Sequence, residues 1–328
     1  MYNGIIIAIL FFISLGGTFI VRNVALRKSI LDIPNERSSH STPTPRGGGL
    51  AIALTWYSFL IFWFLEGKLE YKLFLALMCG LILSVISFID DVRNLSPKIR
   101  IVSQIISSSL ALVILGGLKI IDLGFIVIKI PVWLNILVLL SIVWMTNLFN
   151  FLDGIDGYLG SESLFIFLSL FIITGDILLI AFVSIIFGFL IWNWPKAKIF
   201  CGDVGSTLIG FTVMIFAIQY QNTNKLSFII PIILSGLFWM DASITLIRRW
   251  RNKEKLSIPH KKHAYQRLVQ WGYSHTQVVI YGMIINILLF LIAYMSWINE
   301  KLLLLAFLLH IIIVLIFIKF SDNKMAFK

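Results

Sequence analysis

Asn147-Leu148-Phe149-Asn150-Phe151-Leu152-Asp153-Gly154-Ile155-Asp156-Gly157 closes an uncharged, mostly apolar run that begins near residue 132. About eighteen such residues read as a membrane-spanning helix. Two amides and two carboxylates therefore stand where a span meets a loop, and ionisable groups placed there usually have a function. The four recur every third position. On a continuous α-helix that spacing drifts by about 60° per step, so they cannot share one face. The helix is expected to end near Asp153 and loosen into a loop, with Asn150 turned into the bundle and Asp156 toward a ligand. A turn that only caps the next helix needs one such residue, not four.

The same apolar pattern extends over all 328 residues, of which 59% are hydrophobic and 13% charged. Mean hydropathy is +0.95. Apolar runs predict about eleven spans, near 3–21, 48–65, 71–89, 101–118, 132–149, 158–174, 177–194, 205–220, 226–247, 276–298 and 302–320. The expected fold is an all-α polytopic membrane protein, one integral-membrane domain over 1–328. Residues 120–131 alternate around Gly124 and suggest a small hairpin. Pro231 is expected to kink the ninth span. The first span has no preceding basic residue and no small-residue cleavage site, so it is expected to stay uncleaved.

Charge sets the predicted orientation. With eleven spans, most of the 27 Lys and Arg fall in the loops 22–47, 90–100, 195–204 and 248–275 and in the tail, all on one side. The other side holds only Lys68, Lys72, Lys119, Lys129, Lys225 and Lys301. That asymmetry makes the first side cytoplasmic and the N-terminus periplasmic. The net charge of +11 then reflects loops facing anionic lipid. Nucleic acid is not an expected partner, because no compact basic domain exists to carry it. Cys79 and Cys201 suggest no disulfide.

Three more constellations lie on the predicted cytoplasmic side. Asp90-Asp91 end the third span, where a helix C-terminus disfavours acids; Lys98 and Arg100 follow. Asp203, in Phe200-Cys201-Gly202-Asp203-Val204-Gly205-Ser206, precedes the eighth span. Alone it reads as an N-cap, but beside other acids it reads as a metal ligand, suited to Mg²⁺ shared with a phosphate. His260, His263 and Arg267 recur at helical intervals in a basic loop. Two histidines are too few for a zinc site; a phosphate-neutralising cluster fits better. Arg46 precedes Gly47-Gly48-Gly49, a run that permits close backbone approach but lacks the P-loop pattern. Asp241, inside the ninth span, is expected to pair with a neighbouring cation.

On the motifs Asp90-Asp91, Asn147-x-x-Asn150-x-x-Asp153-Gly-x-Asp156-Gly157 and Phe200-x-Gly202-Asp203-x-Gly205-Ser206, the chain resembles the polyprenyl-phosphate N-acetylhexosamine-1-phosphate transferases. The resemblance runs from about residue 34 to 268. It implies transfer of sugar-1-phosphate from a UDP-N-acetylhexosamine to undecaprenyl phosphate at the cytoplasmic face of a bacterial inner membrane, releasing UMP. It implies Mg²⁺, with Mn²⁺ as an alternative, on Asp203, Asn150 and Asp91. Asp90, Asp91, Asp153, Asp156, His260 and His263 take catalytic roles by this resemblance. Asn147, Asn150, Asp156, Arg46, Lys98, Arg100, His263 and Arg267 bind substrate. His260-Lys-Lys-His263 departs from the consecutive histidines of the muramoyl-pentapeptide enzymes. The chain looks more like the O-antigen-initiating branch, with UDP-GlcNAc or 6-deoxy sugars such as FucNAc and QuiNAc as donors. Membrane lipid is a further partner, and a homodimer stays open. A cation-coupled transporter is the rival reading.

Overall fold

The structure is a computed structural model that describes residues 2–34, 42–93, 95–256, 258 and 260–327. Residues 35–41 and Pro259, part of the sequence reading above, lie outside these. Helix α1 (Tyr2–Arg27) leads into a short antiparallel pair, β1 (Leu31–Asp32) with β2 (Thr44–Pro45). Then come α2 (Gly49–Leu65), α3 (Tyr71–Met78), α4 (Gly80–Arg93) and α5 (Pro97–Ile114). The hairpin expected at 120–131 is present as β3 (Ile120–Asp122) against β4 (Val127–Lys129). The rest is helical: α6 (Asn135–Phe151), α7 (Tyr158–Thr174), α8 (Ile177–Asn193), α9 (Asp203–Asn222), α10 (Ile229–Leu234), α11 (Gly236–Arg251), α12 (Ala264–Trp271), α13 (His275–Ile298) and α14 (Leu303–Lys324).

Among the described residues, seven helical segments are long and apolar enough to cross a bilayer, and α2, α7 and α8 are apolar but shorter. With the broken α10–α11 pair, these correspond one for one to the predicted spans. The chain is a polytopic all-α membrane protein.

Helix α9 is the axis of the bundle. Every residue from Asp203 to Gln221 is buried. Its small and hydroxylated residues let α2, α4 and α6 come close, as small residues do in membrane interiors. At Gly49 and Gly205 two backbones touch: a Cβ on Gly49 would lie 2.2 Å from the Gly205 nitrogen. The outer helices turn Phe12, Ile20, Val113, Ile284 and Ile316 outward; their backbone groups are satisfied within the helix, as a lipid surface requires.

Three boundaries differ from the sequence reading. Helix α5 begins at Pro97, four residues before its predicted start, because Pro is at home in a first turn. It ends ahead of Gly116 and Gly117, both at positive φ. The third span is interrupted at Cys79, whose carbonyl accepts from the Ser107 hydroxyl at 2.6 Å. The break in the ninth span falls at Ser235, not at Pro231. Pro231 sits in the first turn of α10, where a missing N–H costs nothing, and Gly236 admits the His310 ring against its backbone.

Candidate active site

Arg46 reaches the site because the chain after β2 pairs with the segment before α9. Phe200 N–H donates to the Pro45 carbonyl at 2.8 Å, Gly48 N–H to the Phe200 carbonyl at 2.9 Å, and Gly49 N–H to the Cys201 carbonyl at 2.8 Å. The glycine run thus serves close approach to α9. It leaves Arg46 facing the α9 N-terminus, where helix polarity favours the Asp203 carboxylate.

Three distant acids converge here through two arginines. Arg46 Nη2 lies 2.5 Å from Asp203 Oδ1 and 3.0 Å from Asp91 Oδ1. Arg100 Nη1 lies 3.1 Å from Asp90 Oδ2, and its Nη2 lies 3.5 Å from Asp203 Oδ2. Leu95 N–H donates to Asp90 Oδ1 at 2.6 Å, so both Asp90 oxygens are engaged. Asp91 keeps one buried oxygen, Oδ2, without a hydrogen-bond partner. Gly202 must be glycine: its φ is +77°, and a Cβ would lie 2.8 Å from that same oxygen. Burial pulls the Arg46 pKa down, but the Asp203 and Asp91 carboxylates pull harder and raise it above its ordinary value.

Helix α6 ends at Phe151, close to the predicted release point. Asn150 does turn inward, donating from Nδ2 to the Ser206 hydroxyl at 3.0 Å. Asp153 joins the acidic group. Burial pushes its carboxyl up to about 7; Arg46 and the Gly202 N–H oppose that, while Asp203 and Asp91 add to it. Asn147 pairs with Gln104, donating to Oε1 at 2.6 Å and so tying α6 to α5.

A cavity of about 650 Å³ opens beside the acids. Arg46, Lys98, Arg100, Asn147, Asn150, Asp203, His260 and His263 supply its polar wall, and Ile101, Phe151, Leu246 and Ile258 an apolar one. Burial and the neighbouring His263 and Arg249 hold His260 down at about 3, so its imidazole is neutral. Its Nδ1 accepts from Lys262 N–H at 3.1 Å. His263 is buried, with Nδ1 3.8 Å from Asp241.

Asp90, Asp91 and Asp153 do not line the cavity but are linked to its wall through Arg46 and Arg100, whereas Asp156 and Arg267 stand apart. Asp156 turns to the 195–197 loop, accepting from Ala197 N–H at 3.1 Å, with His275 Nδ1 3.2 Å away. Arg267 is committed elsewhere: its Nη1 lies 2.7 Å from Asp322 and donates to the Met325 carbonyl. Helical spacing from His263 suggested a shared face, but α12 starts only at Ala264, so the two side chains leave in different directions. Asp241 caps α12 through the Ala264 N–H at 2.9 Å, and its carboxylate also lies 3.8 Å from His263 Nδ1. Gln104 and His275 join these residues without having been expected from the sequence. For His275 a signal existed in Ser274-x-x-Gln277, a capping box that marks a helix start.

The sequence profile of glycosyl transferase family 4 matches residues 73–221. A relative from Bacillus subtilis (strain 168), a probable undecaprenyl-phosphate N-acetylglucosaminyl 1-phosphate transferase, is 31% identical over 80% of this chain and 76% of its own. The chain belongs to glycosyl transferase family 4. The undecaprenyl-phosphate alpha-N-acetylglucosaminyl 1-phosphate transferase of Yersinia pestis is 28% identical over 92% of this chain and 88% of its own. A decaprenyl-phosphate N-acetylglucosaminephosphotransferase of Mycobacterium leprae is 29% identical over 80% and 76% respectively. This family 4 member is an enzyme of the phosphoglycosyltransferase type. The transporter reading finds no support: the clustered acids occupy one end of the bundle, whereas a coupled transporter gathers charge at mid-bilayer.

Proposed function

We propose that this family 4 enzyme transfers N-acetylhexosamine-1-phosphate from a UDP-sugar to undecaprenyl phosphate, with UDP-GlcNAc the first candidate donor and 6-deoxy N-acetylhexosamines next. The observation that carries the reading is the meeting of Asp90, Asp91 and Asp203 with Arg46 and Arg100, of which Arg46, Arg100 and Asp203 line a cavity of about 650 Å³ that also has an apolar wall. Two phosphorylated reactants repel each other. A site that brings them together needs mobile cationic groups at the phosphates and a greasy wall for the lipid.

The residues fit Mg²⁺. Asp203, Asn150 and the unpartnered Oδ2 of Asp91 are hard oxygen donors. That suits a metal that completes its shell with substrate phosphate and water. When bound, Mg²⁺ neutralises charge on the transferring phosphoryl group. Arg46, Arg100 and Lys98 do the same from the protein side.

An oxygen of the lipid phosphate attacks the sugar-bearing phosphorus of the UDP-sugar. The new P–O bond forms a lipid-linked diphosphate, the P–O bond to UMP breaks, and UMP leaves with the electron pair. A phosphate monoester is mostly ionised near neutrality (second pKa about 6), so it needs orientation more than a general base. Asp90, held by Arg100 and the Leu95 N–H, suits positioning better than nucleophilic attack. We therefore favour direct displacement over an aspartyl-phosphate intermediate. Neutral His260 and the buried His263 lie at the cavity wall that would meet the sugar.

The Lys and Arg asymmetry supports a cytoplasmic site in a bacterial inner membrane, with residues 1–328 acting as one transferase domain. The product would prime a lipid-linked glycan such as O-antigen. A donor panel tests this: purified enzyme, undecaprenyl phosphate and several UDP-sugars, with UMP and lipid product mass as readouts. UMP release that depends on both lipid phosphate and UDP-GlcNAc is expected. No turnover with any UDP-N-acetylhexosamine sinks the proposal.

A further inference from the structure

The Arg267 side chain, drawn away from the cavity, leads to a second device. Residues 252–263, between α11 and α12, carry His260 and His263. A loop of that length is costly to hold in one shape. At its entry, in the last turn of α11, Arg249 is 2% exposed and acts as a template. Its Nη2 donates to the Lys255 and Ile258 carbonyls at 2.8 and 3.1 Å, and its Nε to Glu254 at 3.0 Å. Glu254 in turn meets Lys262 Nζ at 2.7 Å.

The last turn of α14 and the residues just after it grip both ends of this loop. Asp322 takes Arg248, at the end of α11, in a two-pronged bond of 2.9 and 2.8 Å. The same carboxylate holds Arg267, on α12, at 2.7 Å. The Ser321 hydroxyl donates to the Ala264 carbonyl at 2.9 Å. The Phe327 ring lies 5.2 Å from the Arg248 guanidinium, 5.6 Å from that of Arg267 and 5.7 Å from Lys262 Nζ, a cation–π arrangement. One carboxylate and one ring thus join the loop's entry to its exit.

We infer that Ser321–Phe327 is a latch that sets the shape of the histidine loop and so tunes selection of the donor sugar. The effect on selection rests on the transferase reading above; the latch itself does not. Asp322 and Phe327 are positioning residues that never touch substrate. They act by fixing the separation of Arg248 and Arg267, which spares the loop its closure entropy when a donor binds.

Two measurements on the full chain in nanodiscs separate the claims. Hydrogen exchange reads the latch: Asp322→Asn should raise exchange in residues 252–263 and leave α9 unchanged. Kinetics read the consequence: KM for the UDP-sugar should rise about tenfold and donor ranking should flatten, with KM for lipid phosphate and kcat within about twofold. Phe327→Ala should show the same pattern more weakly, and Phe327→Trp should restore wild-type values because the ring face remains. Unchanged exchange in 252–263 in both Asp322→Asn and Phe327→Ala overturns the latch. Increased exchange with unchanged donor KM and ranking, or with equal loss for donor and acceptor, overturns its role in selection. A wild-type protein inactive on every donor sinks the transferase reading, while the exchange arm still decides the latch.

Discussion

Asp203 concentrates the chemistry. It stands at the N-terminus of the buried α9, paired with Arg46 and Arg100, and is the first choice for the metal. Asp203→Asn keeps the shape and removes the charge. It is expected to cost at least about 10²–10³-fold in turnover, the range for losing one preorganised electrostatic partner, with the protein still folded but Tm in detergent lowered, because Arg46 and Arg100 lose a buried carboxylate. Full activity at saturating Mg²⁺ would remove Asp203 from the metal site. Asp153 makes the opposite kind of test. Its carboxyl, ordinarily near 3.8, is held up at about 7, so the folded state resists ionisation. The fold therefore loses stability as pH rises from about 4 to about 7 and stays penalised above that. In metal-free protein Asp153→Asn should raise Tm at pH 8, by the equivalent of a few kcal/mol, and the gain should shrink toward pH 4. A pH-independent difference would refute the assignment.

The contact of α2 with α9 is what delivers Arg46. At Gly49 even a methyl group would sit 2.2 Å from the Gly205 backbone, and backbone cannot step aside as a side chain can. Gly49→Ala should destabilise the protein by about 2–4 kcal/mol or separate the helices enough to abolish transfer. Gly17→Ala, whose Cβ would meet only Ala51 at 3.5 Å, is the matched control and should behave as wild type in Tm and activity. Equal effects of the two would mean that the α2–α9 approach does not hold the site. The breaks at Cys79 and Ser235 belong to the same level. Each was hidden in an apolar run because its cause is a partner on another helix, Ser107 in one case and His310 in the other.

For the molecule in its membrane, topology and metal dependence are the open measurements. Cys79 and Cys201 are both buried, so single added cysteines can be read against a low background. Lys129→Cys, in the β3–β4 hairpin, should react with an impermeant maleimide on intact cells, and Lys253→Cys only after permeabilisation. The reverse pattern would invert the protein and place the acids outside. EDTA should abolish transfer, and Mg²⁺ or Mn²⁺ should restore it; activity insensitive to chelation would end the metal proposal.

The number and rough extent of the spans, the hairpin, the acid-bearing loops and the family resemblance could all be read along the chain. They depend on local quantities: apolar length, charge, and residue types at fixed spacing. What needed the folded bundle was partnership. Asp90 and Asp91 look equivalent in sequence, yet one is fully tied to Arg100 and Leu95 while the other keeps a free oxygen. Arg267 looked like a phosphate ligand until Asp322, 55 positions later in the chain, claimed it. A carboxylate's role is set by the charges within a few ångströms of it, and in a bundle those charges come from segments with no sequence proximity to announce them.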